Sequence, residues 1–180
     1  MWKEETRNIH SLKFTFRIIT ALAALLVFTP SSFAQHYWTG GNGLWDNPAK
    51  WSSEPNGPGG FGIPTAQDDV IFFNENGEIT IPNEAHCANL TVQNGNGGSL
   101  SGGNLHLSGN VSNQTSFAIQ CEKLVFEGGT TQLFNSPQNI EADVIISENT
   151  TLVLQSNLML ALNELKIEHG HLDATGRAIA

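Results

Sequence analysis

The chain has little of what small domains use to carry out chemistry. Its 180 residues include 2 cysteines, 1 tyrosine, 2 methionines and only 8 lysines and arginines together. Two cysteines exclude a disulfide-framed scaffold and leave no Cys-x-x-Cys pair for zinc or thiol redox work. No nucleophile elbow, phosphate loop or zinc helix motif is present. The stretches Gly95-Asn96-Gly97-Gly98 and Ser101-Gly102-Gly103-Asn104 follow strand-like segments and open no helix, which excludes a dinucleotide fingerprint. A long helical period is also missing everywhere after residue 35.

The few basic residues are unevenly placed. Lys3, Arg7, Lys13 and Arg17 precede the apolar run from Ile18 to Phe28, and Ser32 and Ala34 follow as small residues two apart. A basic segment, a short apolar segment and an A-x-A-like site read as a signal peptide spanning 1–34, cleaved before Gln35. A bilayer-spanning helix needs about 20 apolar residues, more than this run supplies. The expected mature chain is exported, secreted or displayed at the cell surface, with no membrane span left after cleavage. It keeps four basic residues against fifteen acidic ones, a net charge of −11. Nucleic acid and anionic membranes are held by clustered Lys and Arg, so neither is an expected partner. The acidic residues are scattered, as on a solvated surface, and only Asp68 and Asp69 are adjacent.

What the sequence does have is glycine and tryptophan in particular places. All 18 glycines follow residue 35, and Tyr37–Ser52 packs Trp38, Trp45 and Trp51 around Gly40, Gly41 and Gly43. Burying one indole removes roughly 150–250 Å² from water, so three rings can anchor a small core. Residues 35–85 are therefore expected to form an aromatic, Gly-rich β cap, with a Pro/Gly-rich loop at 54–67. Asp68–Phe73 and Glu78–Ile81 read as strands, joined at an Asn76-Gly77 turn. From residue 86 to 180 the chain repeats loosely. Leu90-Thr91-Val92, Leu124-Val125-Phe126 and Leu165-Lys166-Ile167 share the form Leu-x-apolar, at offsets of 34 and 41 residues. Short alternating strands without helices predict an all-β chain: the aromatic cap, then a short right-handed parallel β-helix, with a β-sandwich as the alternative. The last residues, Asp173–Ala180, read as the middle of a repeat, so the repeats are expected to be truncated and their end adhesive.

Tyr37-Trp38-Thr39-Gly40-Gly41-Asn42-Gly43-Leu44-Trp45-Asp46, with Lys50-Trp51-Ser52, then Ile63-Pro64-Thr65-Ala66-Gln67-Asp68-Asp69-Val70 and His86-Cys87-Ala88-Asn89-Leu90, occur in a telling order. Over roughly residues 36–110 this resembles the N-terminal region of large secreted surface proteins of Bacteroidetes-type bacteria, commonly type IX secretion cargo. The resemblance implies an adhesin-like, β-helical surface protein sorted by a C-terminal domain. No such sorting domain occurs within these residues, and the family supplies no catalytic residues to carry over.

The candidate sites each have a plainer alternative. Cys87 and Cys121 stand three residues before Leu90 and Leu124. If one repeat is one coil they stack at about 4.8 Å, within disulfide reach; otherwise they are buried free thiols. Trp38, Trp45 and Trp51 form either the core of the cap or a stacking platform for glycans. Asp46, Asp68 and Asp69 are oxygen donors of the kind calcium takes, or local turn formers. No other cofactor is implied. His36, His86, His106, His169 and His171 are scattered, and only the last two fall at strand spacing. Glu127, Glu168 and Asp173 are the carboxylates a polysaccharide-active enzyme would draw on, but Glu127 and Glu168 occupy one repeat position, as an outward ladder would. The Asn-x-Ser/Thr matches at Asn89, Asn110, Asn113 and Asn149 are expected by chance in so Asn- and Thr-rich a chain. The reading is an exported structural or adhesive surface module without catalysis of its own, with glycans or other surface proteins as partners. A carbohydrate-binding module or a fragment of a polysaccharide-active enzyme is the alternative.

Overall fold

The computed structural model describes residues 33–73, 77–94, 97–161 and 164–180. Leader residues 1–32, Asn76 of the expected Asn76-Gly77 turn, and Gly95-Asn96 lie outside the described residues. The rest is all-β, a parallel β-solenoid of about 5 turns with a buried aromatic cluster near its N-terminal strands. Among the described residues no helix is long and apolar enough to cross a membrane.

The strands are β1 (Gln35–Trp38), β2 (Gly43–Leu44), β3 (Trp51–Ser52), β4 (Asp69–Phe73), β5 (Glu78–Cys87), β6 (Leu90–Gln93), β7 (Ser99–Leu107), β8 (Val111–Asn113), β9 (Ala118–Phe126), β10 (Thr131–Asn135), β11 (Asp143–Ile146), β12 (Thr151–Leu154), β13 (Leu165–Ile167) and β14 (His171–Asp173). They make two sheets. One runs β14-β12-β10-β8-β6-β4-β1-β3 and the other β13-β11-β9-β7-β5-β2. From β4 onward even and odd strands alternate between the sheets, because each coil visits both before it returns one rung further on; β1 and β3 join the even-numbered sheet and β2 the odd-numbered one. Every pairing is parallel except β1 with β3.

Period-two alternation decides what faces in. β6, β10, β11 and β12 each bury every second residue, and the parallel register stacks those residues into columns. Ile79, Leu100, Ile119 and Ile140 form one; Ala85, Leu105, Leu124, Val144 and the half-buried Leu165 a second; Cys87, Leu107, Phe126 and Ile146 a third, which ends at the exposed Ile167; Val70, Leu90, Val111, Phe134 and Leu154 a fourth. The step along each column is about 20 residues, as the numbering of these residues shows. The long strands β5, β7 and β9 feed three of these columns each, and the ladder between β5 and β7 is interrupted between Ile81 and Glu84.

That break needs glycine. Gly102 sits at φ +86°, and a Cβ on it or on Gly103 would overlap the carbonyl oxygens of Ile81 and Asn83 in the preceding coil. Only a residue without a side chain lets the two backbones approach this closely.

The 20-residue step corrects the repeat read from sequence. Leu124 and Leu165 do share a column, but through Val144, so their offset of 41 covers two coils. Leu90 and Leu124 belong to different sheets, because Leu-x-apolar recurs on more than one face of each coil. The parallel register is also established well before residue 86, which falls inside β5: β1 pairs with β4, and β2 with β5. The cap thus forms an irregular first coil, and the antiparallel β3 occupies the outer edge that would otherwise template another strand.

Gly103→Ala should cost about 1–3 kcal/mol, the usual range for overpacking, read from the urea midpoint of unfolding. Ser101→Ala, on the solvent side of the same strand, should stay within about 0.5 kcal/mol; equal losses at both positions would mean that the corner is not tightly packed.

Candidate functional site

The three tryptophans close the core. Trp38, Trp45 and Trp51 are 2%, 1% and 0% exposed. Trp51 meets Trp38 at 5.0 Å and Trp45 at 4.9 Å between ring centroids, both edge to face, and lies over Phe72, which contacts Phe117 deeper in the solenoid. Edge-to-face pairing is the geometry favoured by the ring quadrupoles. Trp51 donates its indole N–H to the Trp45 carbonyl at 2.7 Å, and Trp38 donates to the Gly41 carbonyl at 2.9 Å. No ring face is left for a pyranose, so of the two alternatives for these residues the structure shows the core of the cap. They stand where a preceding coil would otherwise cover the first apolar rung.

The cysteines likewise take the second of their two alternatives. Cys87 and Cys121 are buried free thiols. Cys87 stacks on Leu107, whereas Cys121 follows Gly102 and Ile81 in another column, two coils along. The offset of 34 that seemed to align them is not the coil step. Burial pushes both thiols far up, Cys121 to about 12, which removes the reactive thiolate at neutral pH.

The three candidate calcium ligands are engaged in local structure or lie apart. Asp68 accepts from Thr65 N–H at 2.9 Å and the Thr65 hydroxyl at 2.7 Å and donates its own N–H to the Thr65 carbonyl at 3.0 Å, a reciprocal turn that leads into β4. Burial raises its pKa, but these hydrogen bonds outweigh it and the net shift is downward. Asp69 accepts from the backbone and side-chain amides of Asn89. Asp46 is exposed in the turn before Pro48. The sugar-processing carboxylates likewise sit with separate partners: Glu127 with His106, Glu168 with Lys166, and Asp173 with the Thr175 hydroxyl and N–H.

Three of the asparagines that match glycosylation signals instead hold corners. Asn89 accepts from the Asn110 N–H at 2.7 Å, and Asn110 accepts from the Leu133 N–H at 2.7 Å, continuing the ladder begun at Asp69. Asn113 is fully buried; it accepts from the Thr115 N–H and hydroxyl and donates to the Phe117 carbonyl and Ser136 Oγ. These side chains satisfy backbone groups that a tight corner strips of ladder partners.

One such corner opens a groove. The segments that follow β6, β8 and β10 stack there and line a cavity of about 620 Å³ with Gln93, Asn94, Gln114, Thr115, Pro137 and Gln138, together with Ser116. Every lining side chain is uncharged, and the amides of Gln93, Gln114 and Gln138 have no hydrogen-bond partner among the described residues. Buried Asn113 fixes the backbone beneath them through Thr115. Free amides and the Ser116 hydroxyl on a fixed wall can donate to and accept from the hydroxyls of a neutral ligand. Sequence reading missed this groove, because its residues are separated by whole coils and none is unusual by itself.

A second cluster lies on the outward side of β5 and β7. His86 and His106 are register partners with stacked rings, centroids 4.8 Å apart. His106 places Nε2 2.6 Å from Glu84 and Nδ1 2.9 Å from Glu127. His169 and His171, expected on one strand face, do not share one: His169 lies in the turn before β14 at φ +59°.

No protein-family model, curated protein or solved structure matches the chain.

His36 is buried beside Trp51 and Phe61, and its Nδ1 has no partner. Burial pushes its pKa below the ordinary 6.5, opposed by the charge of Asp68. The unfolded chain therefore binds this proton first as pH falls. The stability tied to neutral His36 is fully present above pH 6.5 and declines as pH drops through that value toward the lower folded one. Urea midpoints should fall between about pH 7 and about pH 5, and His36→Leu should flatten that fall; an unchanged profile in the variant would assign the effect to other groups.

Proposed function

We propose that the chain is an exported adhesive module of a bacterial surface protein, and that it binds neutral oligosaccharide in the groove at its Gln93–Gln114–Gln138 corner. The observation that carries this reading is the row of unpartnered, uncharged amides repeated on three successive coils. A solenoid repeats its corners at a fixed rung spacing of about 4.8 Å, so an extended ligand meets the same donors and acceptors again at each coil. Many weak contacts then add along the ligand, which is the usual physics of adhesion. The basic and apolar leader and the resemblance of residues 36–110 to secreted Bacteroidetes-type proteins support export and surface display. The net negative charge supports a neutral ligand over an anionic one.

Export has its own test: in a secreting bacterial host the mature chain should begin at Gln35 by mass spectrometry, and a chain retaining residues 1–34 would overturn the leader reading. The groove is tested on a panel of soluble neutral glycans by calorimetry. The triple variant Gln93→Ala, Gln114→Ala, Gln138→Ala should weaken binding at least about 10-fold, since each hydrogen bond contributes about 0.5–1.5 kcal/mol, while leaving the unfolding midpoint unchanged. Binding that survives the triple variant, or none across the panel, would overturn the groove as the binding site.

A further inference from the structure

The His86–His106 face satisfies requirements that no other described group meets. His86, His106 and Glu127 bring three ligand atoms within 4.8 Å of one another. They come from β5, β7 and the residue just after β9, on successive rungs of one sheet, and the Glu127 N–H donates to the Leu107 carbonyl of β7 at 2.9 Å, so the ladder fixes their spacing. The hydrogen bonds around them are ordered in a way that a chance surface cluster does not require. Glu84 lies 2.6 Å from His106 Nε2, and Asn104 donates to the other oxygen of Glu84 at 2.9 Å. A carboxylate held in this way anchors the Nε2–H, so that once the proton between Nδ1 and Glu127 is displaced both of those atoms are free to ligate, the carboxylate–histidine arrangement that orients metal-bound imidazole. Neither histidine is buried in the core, and both reach solvent only in part, as a site with an entry path needs.

We propose that His86, His106 Nδ1 and Glu127 bind a divalent transition metal of zinc type, with Glu84 and Asn104 positioning His106. Two imidazole nitrogens and one carboxylate oxygen suit zinc and its borderline neighbours; calcium prefers an all-oxygen set. Three protein ligands leave a fourth tetrahedral position for water or for a donor from another molecule. The metal displaces the proton shared between His106 Nδ1 and Glu127. No bond of the chain is made or broken. The site is on a different sheet from the amide groove and does not depend on the oligosaccharide reading.

The test is zinc binding to the full chain by calorimetry, with cobalt substituted for its visible ligand-field absorption. One equivalent of zinc should bind, and cobalt should give the intense bands of a four-coordinate site. His86→Ala and His106→Ala should each weaken zinc binding at least about 10-fold, and Glu84→Gln by about 10-fold through the orientation of His106. All three positions face outward, so circular dichroism should be unchanged, and His171→Ala serves as a remote control that leaves zinc affinity alone. The proposal is overturned if no equivalent of zinc binds, if the double variant His86→Ala, His106→Ala binds as the parent does, or if His171→Ala abolishes the uptake.

Discussion

The parallel ladder with its step of about 20 residues is the constraint from which the other features descend. Once Ile79 hydrogen-bonds beside Leu100 and Leu100 beside Ile119, every residue of a coil has a fixed neighbour above and below. Inward residues must then be apolar in columns, and outward residues must tolerate a copy of their own position one rung away. A single coil cannot bury its apolar face alone. Stacking supplies the missing partner, so stability is shared between neighbours rather than concentrated in one core. The glycines at the break in β7 belong to the same constraint, since the close approach of Gly103 to Asn83 sets how tightly one coil can follow the last.

A ladder of this kind has two ends, and the N-terminal one is managed. Trp38, Trp45 and Trp51 lie on an irregular coil made of β1, β2 and β3, and Trp51 lies over Phe72. Large planar rings cover a rung without needing a coil of matching shape, and the antiparallel β3 turns the sheet edge away from further pairing. Burying His36 in this cap makes its cohesion sensitive to protons, because the imidazole is held where its charged form is poorly solvated. The last coil is more open. Leu165 and Leu172 are only partly buried, in contrast to Leu124 and Leu152 in the coils before them.

Much of this was legible in the sequence. Period-two alternation identified the strands, the missing helical period excluded α/β folds, and the Trp-Gly opening marked an aromatic cap. The coil step was not legible, for a physical reason. Each coil presents Leu-x-apolar on more than one face, so the similarity between Leu90 and Leu124 reflects a common local environment on two different sheets. That one error propagated. It aligned Cys87 with Cys121, and it hid His86 and His106, which are adjacent only when the step is 20. Asn89, Asn110 and Asn113 were hidden in the same way. Their work is to satisfy corner amides, and it becomes visible only when the next coil is in place.

The same register explains why both candidate sites consist of ordinary residues. A globular fold gathers side chains from distant segments; a solenoid also multiplies common ones by stacking. Gln93, Gln114 and Gln138 carry no signal singly, but three coils align them into a wall of unpartnered amides. On the other sheet, stacking places two histidines one rung apart and lets carboxylates from neighbouring rungs take both nitrogens of His106. Like charges stacked in this way would repel, so His86 above His106 is favourable only when at least one ring is neutral or a shared counter-charge is present. Glu84 and Glu127 provide that counter-charge, and a bound cation would provide the alternative by drawing on the neutral rings. An outward column of a solenoid is thus a place where substitution at one rung acquires meaning from the rung beside it.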